Sequence, residues 1–111
     1  MPRKFSLSHK KDFEYVFQNG QRIKTPICLI LYAKSTTLSP KFGFIVGKKV
    51  SIKAHDRNRA KRQIREVLRP LITQIPNNYY VFIVYKTYLD TDFQDQKRII
   101  ERSCQGIKGF N

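Results

Sequence analysis

Catalysis by side chains needs titrating or nucleophilic groups held in pairs, and this sequence offers few. His9 and His55 are its only histidines, and neither stands in a motif that would give it an acid or base partner. Cys28 falls inside an apolar run, which suits a buried thiol, and Cys104 lies near the C-terminus; two cysteines so placed do not make a disulfide framework. No metal-ligand cluster, phosphate-cradling glycine loop or nucleophile with a nearby base is recognisable. What the sequence does concentrate is cation. In the run Ala54-His55-Asp56-Arg57-Asn58-Arg59-Ala60-Lys61-Arg62-Gln63-Ile64-Arg65-Glu66, basic side chains crowd the start of an expected helix, where the macrodipole favours acids. Lys61, Arg65 and Arg69 add like-charge neighbours four residues apart. A segment that breaks its own local rules marks a functional surface, and here the chemistry is polyanion binding.

The whole chain carries the same bias. Its 111 residues hold 22 Lys and Arg against 8 Asp and Glu, for a net charge of +14. Between Lys48 and Arg69, nine cations face only Asp56 and Glu66, so +7 of that charge sits in a fifth of the chain. A solvated face would mix its signs; this pattern fits a nucleic-acid or anionic-membrane patch. The longest apolar run, Pro26 to Ala33, is too short to span a bilayer, and Asp12 and Glu14 interrupt any secretory h-region. A reduced, cytoplasmic setting is expected.

The elements that must position these residues follow from periodicity. With 41% apolar and 13% aromatic residues, the chain is expected to fold as one domain over residues 1–111, burying roughly two-thirds of its unfolded surface. Ser8 is positioned to cap a helix over His9 to Asn19 that puts Phe13, Val16 and Phe17 on one face, with Gly20 as the stop. Gln21 to Lys34 has strand composition, Ser35 to Lys41 turn chemistry, and Phe42 to Val46 the composition of a returning strand, giving an antiparallel hairpin with a long loop.

Asp56 is expected to cap a second helix whose stripe of Ala60, Ile64, Val67, Leu68 and Leu71 turns inward. At 100° per residue, Asn58, Lys61, Arg62, Arg65 and Arg69 fall together on the side away from that stripe. Pro70 should end or kink the helix. Tyr79 to Tyr85, almost wholly β-branched or aromatic, has the character of a central strand. A third helix starts near Asp90 to Asp92, with Phe93, Lys97, Ile100 and Cys104 on one face. Phe13 and Phe17, one turn apart, are either core or a stacking platform for single-stranded nucleic acid.

These residues carry a family resemblance. Arg57 through Glu66 resembles the Arg-Asn-Arg signature helix of bacterial ribonuclease P protein subunits. Asp12-Phe13-Glu14-Tyr15-Val16-Phe17-Gln18-Asn19-Gly20, Gly47-Lys48-Lys49-Val50 and Ala54-His55-Asp56 are similar to family elements in the same order, and together they cover the chain up to about Lys86. Pro70 departs from the uninterrupted helix of that pattern. The resemblance implies an α+β fold, an α/β sandwich with a four-stranded mixed sheet, about three helices and a left-handed βαβ crossover, like domain 2 of ribosomal protein S5. It implies a monomer that joins a catalytic RNA and assists removal of the 5′ leader from precursor tRNA. The RNA performs the cleavage with Mg2+, and the protein binds no cofactor tightly. Arg57, Asn58, Arg59, Lys61, Arg62 and Arg65, with Arg69 on the same face, would meet the RNA subunit. Phe13, Phe17, Lys48 and Lys49 would line the leader cleft. If about six cations each meet a phosphate, log affinity falls with log salt at a slope of roughly −4 to −5. The contrasting expectations from size and charge alone are a structural RNA-binding protein of ribosomal type and a DNA-binding regulator with its basic helix in the major groove.

Overall fold

The computed structural model describes residues 2–111. Three helices and four strands follow in the order α1 (Lys10–Asn19), β1 (Gln21–Lys24), β2 (Cys28–Lys34), β3 (Lys41–Ile45), α2 (Ala54–Leu68), β4 (Asn78–Val84) and α3 (Phe93–Gln105). The strands form one mixed sheet in the order β1-β2-β4-β3. β2 lies antiparallel to β1 and β4, while β3 runs parallel to β4.

Two features of this sheet differ from the sequence reading. Gln21 to Lys34 is two strands, because Thr25 turns the chain: its Oγ1 accepts from the N–H groups of Ile27 and Cys28 and donates to the Cys28 carbonyl at 2.7 Å. The expected β2–β3 hairpin does not form either. β4 inserts between the two, with Ile30 opposite Phe82 on one side and Phe44 beside Phe82 on the other. β4 is thus, with β2, one of the two inner strands paired on both edges, and it is heavily covered on both faces, which accounts for its run of aromatic and β-branched residues.

The strand period of two sorts side chains to opposite faces. Cys28, Ile30, Phe42, Tyr80, Phe82 and Val84 join Ala60, Ile64, Val67 and Leu68 of α2 and Ile100 and Cys104 of α3 in one buried cluster. Leu31, Ala33, Tyr79 and Val81 join Val16 of α1 on the other face. The inward stripe expected of α2 is therefore the one observed. On α3 the buried face is Gln96, Ile100 and Cys104; Lys97 is exposed, since the amide of Gln96 is held inside by the carbonyls of Tyr88 and Thr91 at 2.8 and 2.7 Å.

The helix ends are also adjusted. α1 begins after His9 without a side-chain cap from Ser8. Its C-cap is Gly20, whose N–H reaches the Val16 carbonyl at 2.7 Å, so closely that a Cβ there would meet the same oxygen. α2 begins one residue after Lys53, which leaves Asp56 inside the first turn and not at the cap. Asp92 does cap α3, accepting from the Asp95 N–H at 3.0 Å. Arg69-Pro70-Leu71 forms a 3-10 turn, the expected response to proline at a helix end.

Candidate nucleic-acid interface

The basic residues of α2 do not share one face or one kind of contact. A helix turning 100° per residue places Asn58, Lys61, Arg62, Arg65 and Arg69 along one flank, while Arg57 lies over the core side of the first turn and Arg59 on the opposite flank. The contacts agree. Arg57 Nη1 donates to the Ser51 carbonyl at 2.8 Å, and the Ser51 hydroxyl donates to Asp56 Oδ2 at 2.9 Å. The lead-in loop is thereby tied to the helix. Arg59 faces Asp56 at 3.7 Å, and Arg69 pairs with Glu66 at 2.8 Å. Among the described residues no carboxylate pairs with Lys61 or Arg62. Arg62 and Asn58 are exposed, and Arg65 places its guanidinium 5.0 Å from the centre of the Phe44 ring in a cation–π contact.

Asp56 has a second effect. As the one acid in the first turn of α2, it offsets part of the repulsion between the helix N-terminus and the cations around it. His55 and His9 are both exposed, at a helix start each, and lie on separate elements.

Lys48 and Lys49 sit on the turn that follows β3. The Val50 N–H closes the turn onto the Gly47 carbonyl at 3.0 Å and the Val50 side chain is buried, so both lysines are held outward on an anchored corner. The same face of the sheet as α1 is only half covered. Lys24, Leu29, Ile83 and Ile45 are register neighbours across all four strands, and the three apolar ones are only partly buried. Beside them runs the flank of α1 that carries Phe13 and Phe17; Tyr15 occupies the other flank, bonded through its hydroxyl to the Lys34 carbonyl and edge-on to Tyr79.

The phenylalanine pair divides its roles. Phe13 is half-buried and stands on Gly43 of β3, whereas Phe17 is 47% exposed, with the two ring centres 6.4 Å apart. The apolar strip and a free aromatic ring thus lie on one side of the sheet, with two exposed lysines on the turn that follows its edge strand. Ser51, Gly43 and the strip itself are marked by no sequence motif. Alternation within each strand carried a trace of the strip, but not which strands lie side by side.

Burial rather than charge sets the perturbed titrations. Desolvation raises the thiol of Cys28, pushes Cys104 up to about 12 and raises the hydroxyls of Tyr80 and Tyr88. All four face the interior and none belongs to the cationic flank.

Fold and surface together define a small α+β protein with a cationic helix flank on one side of its sheet, an aromatic and apolar strip on the other, and two exposed lysines on the turn after β3. The family model described as Ribonuclease P matches residues 1–108, and the chain belongs to that family. Ribonuclease P protein components from Escherichia coli and Cronobacter sakazakii are 34% and 32% identical to it, in each case over 97% of this chain and 94% of the relative. Among solved structures, the Thermotoga maritima RNase P protein superposes with a TM-score of 0.82 at 26% identity, covering 94% of this chain and 98% of that one. The Staphylococcus aureus RNase P protein gives 0.87 at 20% identity, covering 96% and 98%, a likeness of fold. No helix among the described residues is long and apolar enough to cross a membrane.

Proposed function

We propose that this chain is the non-catalytic protein subunit of a ribonuclease P ribonucleoprotein, holding the RNA subunit on one side and the precursor tRNA leader on the other. The observation that carries the reading is the two-sidedness of the molecule. The Asn58, Lys61, Arg62, Arg65 and Arg69 flank and the Phe17 strip lie on opposite sides of one sheet, with Lys48 and Lys49 on the turn between β3 and α2. A protein with a single RNA to bind needs one such surface; a protein that presents a substrate to a catalytic RNA needs two.

Each surface suits its polymer. Arg62 offers a planar fork that donates two parallel hydrogen bonds to a phosphate, and Asn58 reaches a base edge or a 2′-hydroxyl. On the other side, unpaired leader bases stack on Phe17 and pack on Leu29, Ile83 and Ile45, while Lys48 and Lys49 track the backbone. Arg57 and Arg59 serve chiefly to shape the N-terminal turn of α2, through Ser51 and Asp56.

Magnesium requires convergent oxygen ligands, and among the described residues no three His, Cys, Asp or Glu side chains converge. In this reading the metal is held by the RNA. The protein's part is to position the leader and neutralise phosphate charge. Added to a ribonuclease P RNA at low magnesium, it should accelerate 5′ cleavage of precursor tRNA. Unchanged cleavage, with ribosomal RNA as the species that co-purifies, would instead make it a structural RNA-binding protein.

A further inference from the structure

A depression of about 390 Å3 opens at the outer edge of β3, lined by Pro2, Arg3, Ser6, Phe42, Phe44 and Arg65. That volume falls within the range of roughly 300–1,000 Å3 typical of small-ligand sites. Its lining carries two guanidinium groups and no acid. We infer that this depression binds one unstacked nucleobase of an RNA strand, with the Arg65–Phe44 pair as the stacking wall and Arg3 as the phosphate contact. The inference rests on the ribonucleoprotein reading for the source of the base, and goes beyond it in naming a base-binding pocket that shares Arg65 with the cationic flank and lies on the other side of the sheet from the leader strip.

Three observations point to a base and not to phosphate alone. Arg65 is not splayed into solvent: its guanidinium lies 5.0 Å from the Phe44 ring centre, and Phe44 in turn stacks on Phe82 at 5.7 Å. The guanidinium is thereby pre-positioned as a flat cationic surface, and planar guanidinium and aromatic groups are what splayed-out RNA bases stack on. Second, the floor is anchored. Phe42 is buried and stacks on Tyr80 at 5.2 Å, so a base entering the depression would meet a wall that is already ordered.

Third, the strand edge is open at this point. The N-terminal segment meets β3 at Ser6 opposite Phe42, where the Leu7 N–H donates to the Phe42 carbonyl at 2.9 Å. Two residues on, Phe44 turns its backbone groups in the same outward direction, and among the described residues no other segment pairs with them. A free N–H and C=O beside a stacking wall can meet the donor and acceptor edge of a base, which no phosphate group can satisfy in the same way.

The test uses the full chain with two probes. In NMR titrations AMP should shift the Phe44, Arg65 and Arg3 signals, while ribose 5-phosphate at the same concentration should leave Phe44 unmoved. Equal shifts from both would overturn the inference, since the site would then be one for phosphate. Ultraviolet irradiation of the complex with ribonuclease P RNA should leave a nucleotide adduct on the tryptic peptide of residues 42–48, and Phe44→Leu should abolish it. Arg65→Lys keeps the charge and the surface position but loses the planar group, and should weaken RNA affinity about tenfold, within the range of one lost base stack. Wild-type affinity for Arg65→Lys, or adducts confined to α2, would overturn the pocket while leaving the ribonucleoprotein reading standing. A normal AMP response without any affinity for ribonuclease P RNA would uphold the pocket and sink that reading instead.

Discussion

The ring tip of Phe13 stands over Gly43, so that a Cβ added to the glycine would lie 2.5 Å from Phe13 Cζ. This contact seats α1 on the sheet next to the β3 edge and leaves Phe17, one turn later, free. Gly43→Ala should push the ring off its seat and destabilise the protein by about 1–3 kcal/mol, the usual cost of overpacking. Thermal melting of Gly43→Ala alone and combined with Phe13→Leu measures it; the smaller ring-free side chain should recover part of the loss. No recovery would place the strain elsewhere on β3.

Phe17 gives the opposite balance. Because about half its surface is already in water, Phe17→Ala should cost under about 1 kcal/mol of stability, well below the figure for a buried phenylalanine. Its effect should appear in binding of precursor tRNA with a single-stranded leader, weakened by roughly 5- to 100-fold as for loss of a base stack, with mature tRNA unaffected. A large drop in melting temperature with unchanged leader binding would return Phe17 to the core.

Two arginines of α2 should separate by function. Arg62→Ala leaves the fold within about 0.5 kcal/mol and lowers the salt slope of RNA-subunit binding by about one. Arg57→Ala removes the hydrogen bond to the Ser51 carbonyl and should destabilise by about 1.5–3 kcal/mol, loosening the turn that carries Lys48 and Lys49. Denaturant melts paired with filter-binding titrations over a salt series distinguish the two. Equal stability losses would contradict the division.

Alkaline pH should destabilise the fold through its buried thiols. Cys104 is neutral when protonated, and burial pushes it from an ordinary 9.0 up to about 12. Above pH 9 the unfolded chain loses this proton while the folded chain keeps it, so stability falls as pH rises, by about 1.4 kcal/mol per pH unit for the group. The contribution is complete below pH 9 and is lost towards 12. Cys28 is raised in the same direction. Melting curves between pH 8 and about 10.5 should show a shallower decline for Cys104→Ala than for the parent; identical slopes would exclude the thiol as the cause.

Local sequence determined a good deal of this protein. The inward stripe of α2, the break at Pro70, the strand character of residues 79–85 and the concentration of cation after Lys48 are all consequences of side-chain type and spacing, because helical and strand periods act over a few residues. The family followed from motifs of the same local kind. Tertiary structure alone decided the rest. Strand neighbours are joined by backbone hydrogen bonds that every residue type except proline can make, so nothing in Phe42 to Val46 announced that β4 would lie between it and β2. The cations of α2 were alike in sequence. Only packing tied Arg57 to Ser51, laid Arg65 on Phe44 and left Arg62 to the solvent, since a side chain's freedom depends on what the fold brings beside it. Phe13 and Phe17 divided for the same reason: a glycine two strands away in the chain makes room for one ring and not for the other.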